Sequence, residues 1–125
     1  DSTICEEILQ ECVEQGYLDD QVFAKAWVKE RNERKGYGKL RLRQELKAKG
    51  VSSLDIEAAL RDIDEEEERQ KATELAERRY LRIQDQPWST IERRIGQYLL
   101  RRGYSSSMVY SILNQIRSRR MDEEL

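Results

Sequence analysis

Basic side chains recur at helical spacing in the segment GYGKLRLRQELKAKG. Lys39, Arg43 and Lys47 are four residues apart, so on a helix they form one stripe beside an apolar stripe. Lysine and arginine side chains arranged in this way can neutralise the phosphate groups of a nucleic acid, or they can meet an acidic protein surface. The segment is therefore a candidate contact surface.

Other cations extend this candidate surface, because several end predicted helices and others lie on predicted exposed faces. The contact residues that we predict are Arg31, Arg34, Lys35, Lys39, Arg41, Arg43, Lys47, Lys49, Arg78, Arg79, Arg94, Arg101 and Arg102. We expect one face around the stripe in the first half of the chain and another, with Arg94, Arg101 and Arg102, in the second half. For any single cation, the alternative is a solvated side chain paired with a neighbouring acid.

The net charge of −2 conceals strong segregation. Residues 1–24 carry a net −7, residues 25–50 carry +7 and residues 51–77 carry −7. Residues 78–120 then carry +8, and residues 121–125 carry −3. Solubility alone would be served equally well by mixed charges, so blocks of alternating sign favour a phosphate backbone or a partner whose own surface alternates.

Catalytic chemistry has little support in the sequence. The chain contains no histidine, no nucleophile elbow, no Walker loop and no GxGxxG motif. Its two cysteines, Cys5 and Cys12, are seven residues apart, which is too far for a disulfide within one helix and provides no metal-ligand set. We therefore predict a protein that is not an enzyme, with no catalytic residues, metal or cofactor, and with thiols buried in a reducing cytoplasm. No apolar run is long enough to span a membrane.

Helical elements must position these cations, since helix-forming residues dominate and the chain has only one proline. A shift of 53 residues places Gly50-Val51-Ser52-Ser53 over Gly103-Tyr104-Ser105-Ser106, and apolar positions follow the same shift. Each glycine can end a helix and each serine can cap the next one. We therefore predict an all-α protein with two three-helix units, whose helices span residues 20–34, 38–49, 53–64, 65–84, 88–102 and 106–119.

The apolar residues that recur at this spacing define the predicted core, which consists of Phe23, Trp27, Leu42, Leu46, Ile56, Leu60, Tyr80, Ile95, Leu99, Val109 and Leu113. Val28 and Leu81 are also equivalent under the shift. The aromatic residues could stack on bases, but Trp27 and Tyr80 occupy equivalent positions among apolar neighbours, which favours core packing for them and for Trp88, Tyr98, Tyr104 and Tyr110. Tyr17 and Tyr37 lie in predicted loops and remain undecided.

The predicted domain organisation has four parts. Residues 1–18 contain apolar side chains at helical spacing and match the last helix of a unit whose first two helices are absent, so we expect the chain to be a fragment. A second three-helix unit spans residues 19–64 and a third spans residues 65–120. Residues 121–125 form an acidic tail.

Four motifs resemble the RecX family of bacterial recombination regulators. They are GYLDD at residues 16–20, FAxxWVxxR from Phe23, KGxG from Lys35 and RQELKxKGV from Arg43. The resemblance continues through Ile56 and Ala59-Leu60 and returns more weakly at Leu99, Arg101-Arg102-Gly103-Tyr104 and Val109, so it covers essentially the whole chain. The combined run is far more specific than any one motif.

The resemblance implies tandem three-helix repeats in an elongated, curved helical array. It also implies a cytoplasmic bacterial regulator of RecA that lies in the groove of the RecA filament on single-stranded DNA and suppresses ATPase, strand-exchange and coprotease activity. Family members have some affinity for DNA, so weak non-specific DNA binding is expected, together with a monomeric state. The family has a complete first unit, of which this chain retains only the predicted final helix.

Two other functions fit three short helices with basic residues. One is a stand-alone DNA-binding module of the helix-turn-helix type. The third helices begin with acidic or neutral residues such as Asp55 and Glu57, which is evidence against this class. The other is a purely structural helical adaptor, which would differ only in its partner.

Overall fold

Six α-helices and no β-strand make up residues 20–123, the part of the chain that this computed structural model describes. The helices are α1 Asp20–Lys35, α2 Lys39–Ala48, α3 Ser53–Leu60, α4 Glu65–Ile83, α5 Trp88–Arg101 and α6 Ser106–Glu123. The chain divides after Asp64 into two compact units. The first unit contains α1 to α3 and the second contains α4 to α6. The all-α class and the three-helix repeats predicted from the sequence are confirmed.

Each unit encloses its own apolar core. In each unit, each of the three helices packs against the other two. Every residue of the predicted core is at most 8% exposed. Burial of these side chains is the main force that holds each set of short helices together, because such helices are marginal in isolation.

The turn before the third helix of each unit has the same geometry in both. Gly50 adopts φ +83° and Gly103 adopts φ +98°, the left-handed region that glycine tolerates. The next amide donates back to the helix in each case, from Val51 to the Leu46 carbonyl at 3.1 Å and from Tyr104 to the Leu99 carbonyl at 3.2 Å. These turns set the angle at which α3 and α6 return to their cores.

Serine side chains then cap the third helices. The Ser52 hydroxyl accepts a hydrogen bond from the Asp55 amide at 3.3 Å, and the Ser105 hydroxyl accepts one from the Met108 amide at 3.3 Å. The sequence had left two serines open as the cap in each unit. The earlier serine of each pair is the one that caps.

Two helix boundaries differ from the predictions by more than one residue. Helix α3 ends at Leu60 rather than at residue 64, because the chain turns there and buries Ile63 against the first core. Helix α6 continues to Glu123, past the predicted end at 119 and into the predicted acidic tail. Arg119 and Arg120 anchor these last turns to α4 and to the loop that follows it, and no glycine or proline interrupts them.

One packing prediction is wrong. Tyr110 is 67% exposed, because Val109 and Leu113 already occupy the buried side of α6 and Tyr110 lies outside it. Leu81 is 65% exposed although its equivalent Val28 is buried, since α4 turns Tyr80 rather than Leu81 towards the core. Trp88 and Tyr98 are partly buried at the edge of the second core.

The predicted helix within residues 1–18, together with Cys5, Cys12 and Tyr17, lies outside the described residues. Across residues 20–123, the helices are all too short or too polar to cross a membrane.

Candidate functional site

Glu45 on α2 is the centre of a polar cluster in the first unit. Arg31 donates two hydrogen bonds to it, from Nε to Oε1 at 3.1 Å and from Nη2 to Oε2 at 2.7 Å. Trp27 Nε1 donates a third, at 3.0 Å. Burial by itself would raise the pKa of Glu45, but the hydrogen bonds from Arg31 and Trp27 and the guanidinium charge outweigh it, so that pKa lies below its ordinary value. The carboxylate therefore joins α1 to α2.

Cations stack on aromatic rings around this carboxylate. The Arg31 guanidinium carbon lies 5.1 Å from the centre of the Trp27 ring and 5.0 Å from that of Tyr37. Arg41 lies 3.8 Å over Tyr37, and Lys49 Nζ lies 4.8 Å over Trp27. The Arg31 side chain is only 13% exposed. Arg31 thus has a positioning role within the unit, and Arg41 and Lys49 lie at the rim of the cluster.

The predicted basic stripe on α2 contains an ion pair. Arg43 donates to Glu57 of α3, from Nε at 2.7 Å and from Nη2 at 3.3 Å. The hydrogen bond from Arg43 lowers the pKa of Glu57. Lys47 is exposed and Lys39 is half-buried on the same face of α2. The stripe therefore presents its two lysines on either side of a partly neutralised arginine.

Near the end of α1, Arg34 forms an ion pair with Glu30 one turn earlier, with Nε 3.2 Å from Oε1. The Arg34 side chain is 48% exposed, so the pair stabilises the helix only weakly. Lys35 is half-buried at the last position of α1.

Tyr98 organises the cations of the second unit. The guanidinium carbon of Arg79 on α4 lies 3.9 Å from the ring centre, and that of Arg102, just after α5, lies 5.3 Å from it. Tyr98 stands at the position equivalent to Glu45 under the 53-residue shift. At this position the first unit has a carboxylate that forms an ion pair with Arg31, and the second unit has an aromatic ring that contacts Arg79 and Arg102.

Other predicted cations of the second unit are exposed. Arg78 lies on α4, while Arg94 and Arg101 lie on α5 seven residues apart, hence on one side of that helix. These side chains can meet phosphate or carboxylate groups without first leaving a buried position. The predicted contact residues therefore range from Arg31, most of whose side chain is covered within its unit, to exposed cations such as Arg78, Arg94 and Arg101.

Two arginines that were not among the predicted contact residues brace α6. Arg119 forms a bidentate pair with Glu77 of α4, at 2.9 and 2.7 Å. Arg120 donates to the backbone carbonyls of Gln84 and Gln86, at 2.7 and 3.0 Å. Together they fix the end of α6 against the first helix of its unit.

Sequence reasoning also missed Glu45, Tyr37 and Tyr98 as organising residues. Only the RQELKxKGV motif, which contains Glu45, drew attention to one of them. Each of the three lies within a few residues of a predicted basic residue, but that position does not show which cations of another helix it meets. Within the described ranges, acidic and sulfur side chains form no group that could hold a metal ion.

These two units are similar to known three-helix domains. Residues 19–60 match the family model described as RecX, second three-helix domain, and residues 65–113 match the one described as RecX, third three-helix domain. A protein named regulatory protein RecX from Mycobacterium sp. (strain JLS) is 38% identical over 117 residues, which are 90% of this chain and 64% of that protein. Another of that name from Yersinia enterocolitica is 35% identical over 114 residues, 91% of this chain and 66% of that protein.

Solved structures agree with these matches. The crystal structure of RecX from Lactobacillus salivarius superposes with a TM-score of 0.72 at 22% identity, over 88% of this chain and 71% of that one. A crystal structure of regulatory protein RecX superposes with a TM-score of 0.70 at 31% identity, over 88% of this chain and 54% of that one.

The fold and the sites together define a protein of tandem three-helix domains whose surfaces carry cations. The chain spans about two thirds of the length of the curated relatives that it matches. With consecutive family domains matched along most of its described length, it belongs to the RecX family.

Proposed function

We propose that this chain is a non-enzymatic negative regulator of RecA. It binds the RecA filament on single-stranded DNA, in the filament groove, and suppresses ATPase, strand-exchange and coprotease activity. It acts as a monomer in the bacterial cytoplasm, needs no cofactor and binds free DNA weakly. The observation that carries this proposal is the match of both units to consecutive RecX domains, with relatives named as regulatory proteins.

The cations on α2 and α5 support a filament as the ligand. Lys39 and Lys47 on α2 form one contact face around Arg43, and Arg94 and Arg101 on α5 form another. A nucleoprotein filament presents DNA phosphates as well as acidic and basic protein surface, which suits a chain whose charge is arranged in blocks of opposite sign.

ATP hydrolysis by RecA filaments on single-stranded DNA tests the proposal directly. The chain is titrated into preformed filaments at fixed salt, and its binding to the same DNA without RecA is measured in parallel. We expect suppression at chain concentrations well below that of RecA, with much weaker binding to the free DNA. Unchanged hydrolysis by a folded chain would contradict the proposal, and a sequence-specific footprint on duplex DNA would favour a helix-turn-helix module instead.

The α2 face has its own test. The double variant Lys39→Glu with Lys47→Glu reverses two charges on that face, and Lys25→Glu with Lys29→Glu makes the same change on exposed positions of α1. We expect the first variant to need about tenfold more chain for half-inhibition. The introduced glutamates would face phosphates or carboxylates, and like charges that face each other at an interface weaken binding by on the order of several kcal/mol. Equal inhibition by both variants, each with normal helical content, would reject the face.

A further inference from the structure

A shallow groove of about 320 Å³ runs between α5 and α6 of the second unit. Gly96 and Leu100 line it from α5, and Val109, Tyr110 and Leu113 line it from α6. Leu100 is 49% exposed and Tyr110 is 67% exposed, so two large apolar side chains meet solvent at one place. Two adjacent exposed apolar side chains beside a groove form a candidate surface for binding a partner.

The same place in the first unit is closed. Under the 53-residue shift, Gly96 corresponds to Arg43 and Tyr110 corresponds to Glu57. Those two first-unit residues form the ion pair that bridges α2 and α3, with Nε of Arg43 2.7 Å from Oε1 of Glu57. Leu100 likewise replaces the exposed Lys47. The three-helix fold therefore does not require an open apolar groove, and the second unit has one where the first has charge.

Gly96 gives a second, independent indication. It lies inside α5, where glycine is less favourable than alanine. Packing does not demand it, because a Cβ at this position would lie 3.6 Å from Cδ1 of Leu113 and 4.0 Å from Cγ1 of Val109, which are ordinary contact distances. A bare backbone at the floor of the groove instead leaves room for a side chain from outside.

The charges around the groove indicate what that partner carries. Arg93 lines the groove and is exposed, and the exposed Arg117 follows Leu113 by four residues, on the same side of α6. One acid, Glu92, also lines it. A nucleic acid has a phosphate at every nucleotide, so a strand that followed the groove would bring phosphates close to Glu92, which is unfavourable. A peptide can place its carboxylates beside the two arginines and an uncharged stretch beside Glu92.

We propose that this groove docks an acidic amphipathic segment of a partner protein. A large apolar side chain of that segment lies over Gly96, between Leu100 and Tyr110. Carboxylates elsewhere on the segment meet Arg93 and Arg117. The inference rests on the proposed function for the partner used in the test, which is RecA in its filament on single-stranded DNA.

The first unit supplies a variant that closes the groove. Gly96→Arg combined with Tyr110→Glu introduces the ion pair that the first unit already has at these positions, so the fold should accept it. Leu81→Arg combined with Leu54→Glu makes the same types of change at exposed apolar positions elsewhere, and serves as the matched control. Circular dichroism and thermal unfolding verify that each variant is folded.

Co-sedimentation with RecA filaments measures the effect. We expect the groove-closing variant to need at least about tenfold more chain for half-maximal binding, as for the loss of a central apolar anchor, and the control to change by less than about twofold. Equal binding of wild type and the groove-closing variant would overturn the docking proposal while leaving the regulatory function intact. Failure of the wild type to co-sediment would overturn both.

Cross-linking then identifies the occupant. A benzophenone side chain introduced at Tyr110 should cross-link, on irradiation, to a RecA peptide that contains acidic and large apolar residues, as read by mass spectrometry. Cross-links to the DNA, or between two copies of the chain, would overturn the proposal in favour of a nucleic-acid site or a self-association site.

Discussion

At the scale of single residues, Glu45 joins side chains that are distant in the sequence. It accepts hydrogen bonds from Arg31 and Trp27 of α1 while belonging to α2, and little of its side chain is exposed. A buried charge with satisfied partners is stable only while every partner is present. The cluster around Glu45 therefore stabilises the first unit by holding α1 to α2.

Neutralising Glu45 should destabilise the chain. Glu45→Gln leaves the guanidinium of Arg31 largely buried without its counter-ion, so we expect a loss of about 1–3 kcal/mol in the free energy of unfolding at pH 7, measured in urea. Glu57→Gln removes an acid from a much more exposed ion pair and serves as the control, with an expected loss of about 0–1 kcal/mol. Equal losses in the two variants would contradict the structural role of Glu45.

This difference should also depend on pH. The folded pKa of Glu45 lies below its ordinary value of 4.5, so its stabilising effect is complete above that value and is lost as the pH falls through the folded pKa. The difference in the free energy of unfolding between wild type and Glu45→Gln should therefore become smaller as the pH falls below about 5. Urea unfolding of both proteins, at pH values about one unit apart, measures this difference. A gap that widened with acid would show that the pKa shift has the opposite sign.

Because the phenol of Tyr104 is buried, the free energy of unfolding should fall at alkaline pH. Burial raises the pKa of its phenol to about 12, above the ordinary value of 10.0. The unfolded chain then loses this proton first, so stability falls as the pH rises from 10 towards 12. We expect wild type to lose about 1 kcal/mol relative to Tyr104→Phe between pH 9 and pH 11, measured by urea unfolding at each pH. Parallel curves for the two proteins would contradict this prediction.

At the scale of the element, glycines have opposite roles in turns and in helices. Gly50 ends its turn with φ +83° and has no atom near a potential Cβ, so only its backbone conformation requires glycine. Gly96 lies within α5, and a Cβ added there would lie at ordinary contact distances from Leu113 and Val109. The residue type is the same, but alanine is disfavoured at one position and favoured at the other.

Alanine substitutions separate these roles. Gly50→Ala should lower the free energy of unfolding by about 1–2 kcal/mol, because an L-residue is strained in the left-handed region. Gly96→Ala should raise it by about 0.5–1 kcal/mol through helix propensity. Thermal unfolding followed by circular dichroism measures both, and destabilisation by Gly96→Ala would show that packing, and not partner binding, accounts for that glycine.

Prediction from sequence succeeded where local chemistry sets the structure. The glycine turns, the serine caps and the apolar spacing were enough to place all six helices of residues 20–123 within a few residues. It failed for Tyr110, because periodicity on α6 does not distinguish the edge of an apolar face from its centre. It also missed the partners of the basic residues, since Glu45 meets Arg31 and Arg43 meets Glu57 only after the helices pack. Contacts between helices cannot be derived from spacing within one helix.

At the scale of the whole molecule, residues 20–123 form two units with separate apolar cores. Each core is made of side chains from three consecutive helices, so most stabilising contacts connect residues close in sequence. We therefore expect each unit to fold without side chains from the core of the other.

The second unit should therefore fold by itself. Residues 65–125, expressed alone, should show a helical circular dichroism spectrum and one cooperative thermal transition, at a temperature that Leu99→Ala lowers strongly because this change costs about 2–5 kcal/mol. A spectrum without a cooperative transition would show that the unit depends on the rest of the chain.

Trp27 belongs to the first unit and Trp88 to the second, and the chain has only these two tryptophans. Each unit thus contains one intrinsic fluorophore. The indole of Trp27 bonds to Glu45 and is covered by Arg31 and Lys49, whereas Trp88 is only partly buried. Replacing either with phenylalanine leaves an emission spectrum that belongs to one unit, so the melting of the two units can be followed separately, without an added label.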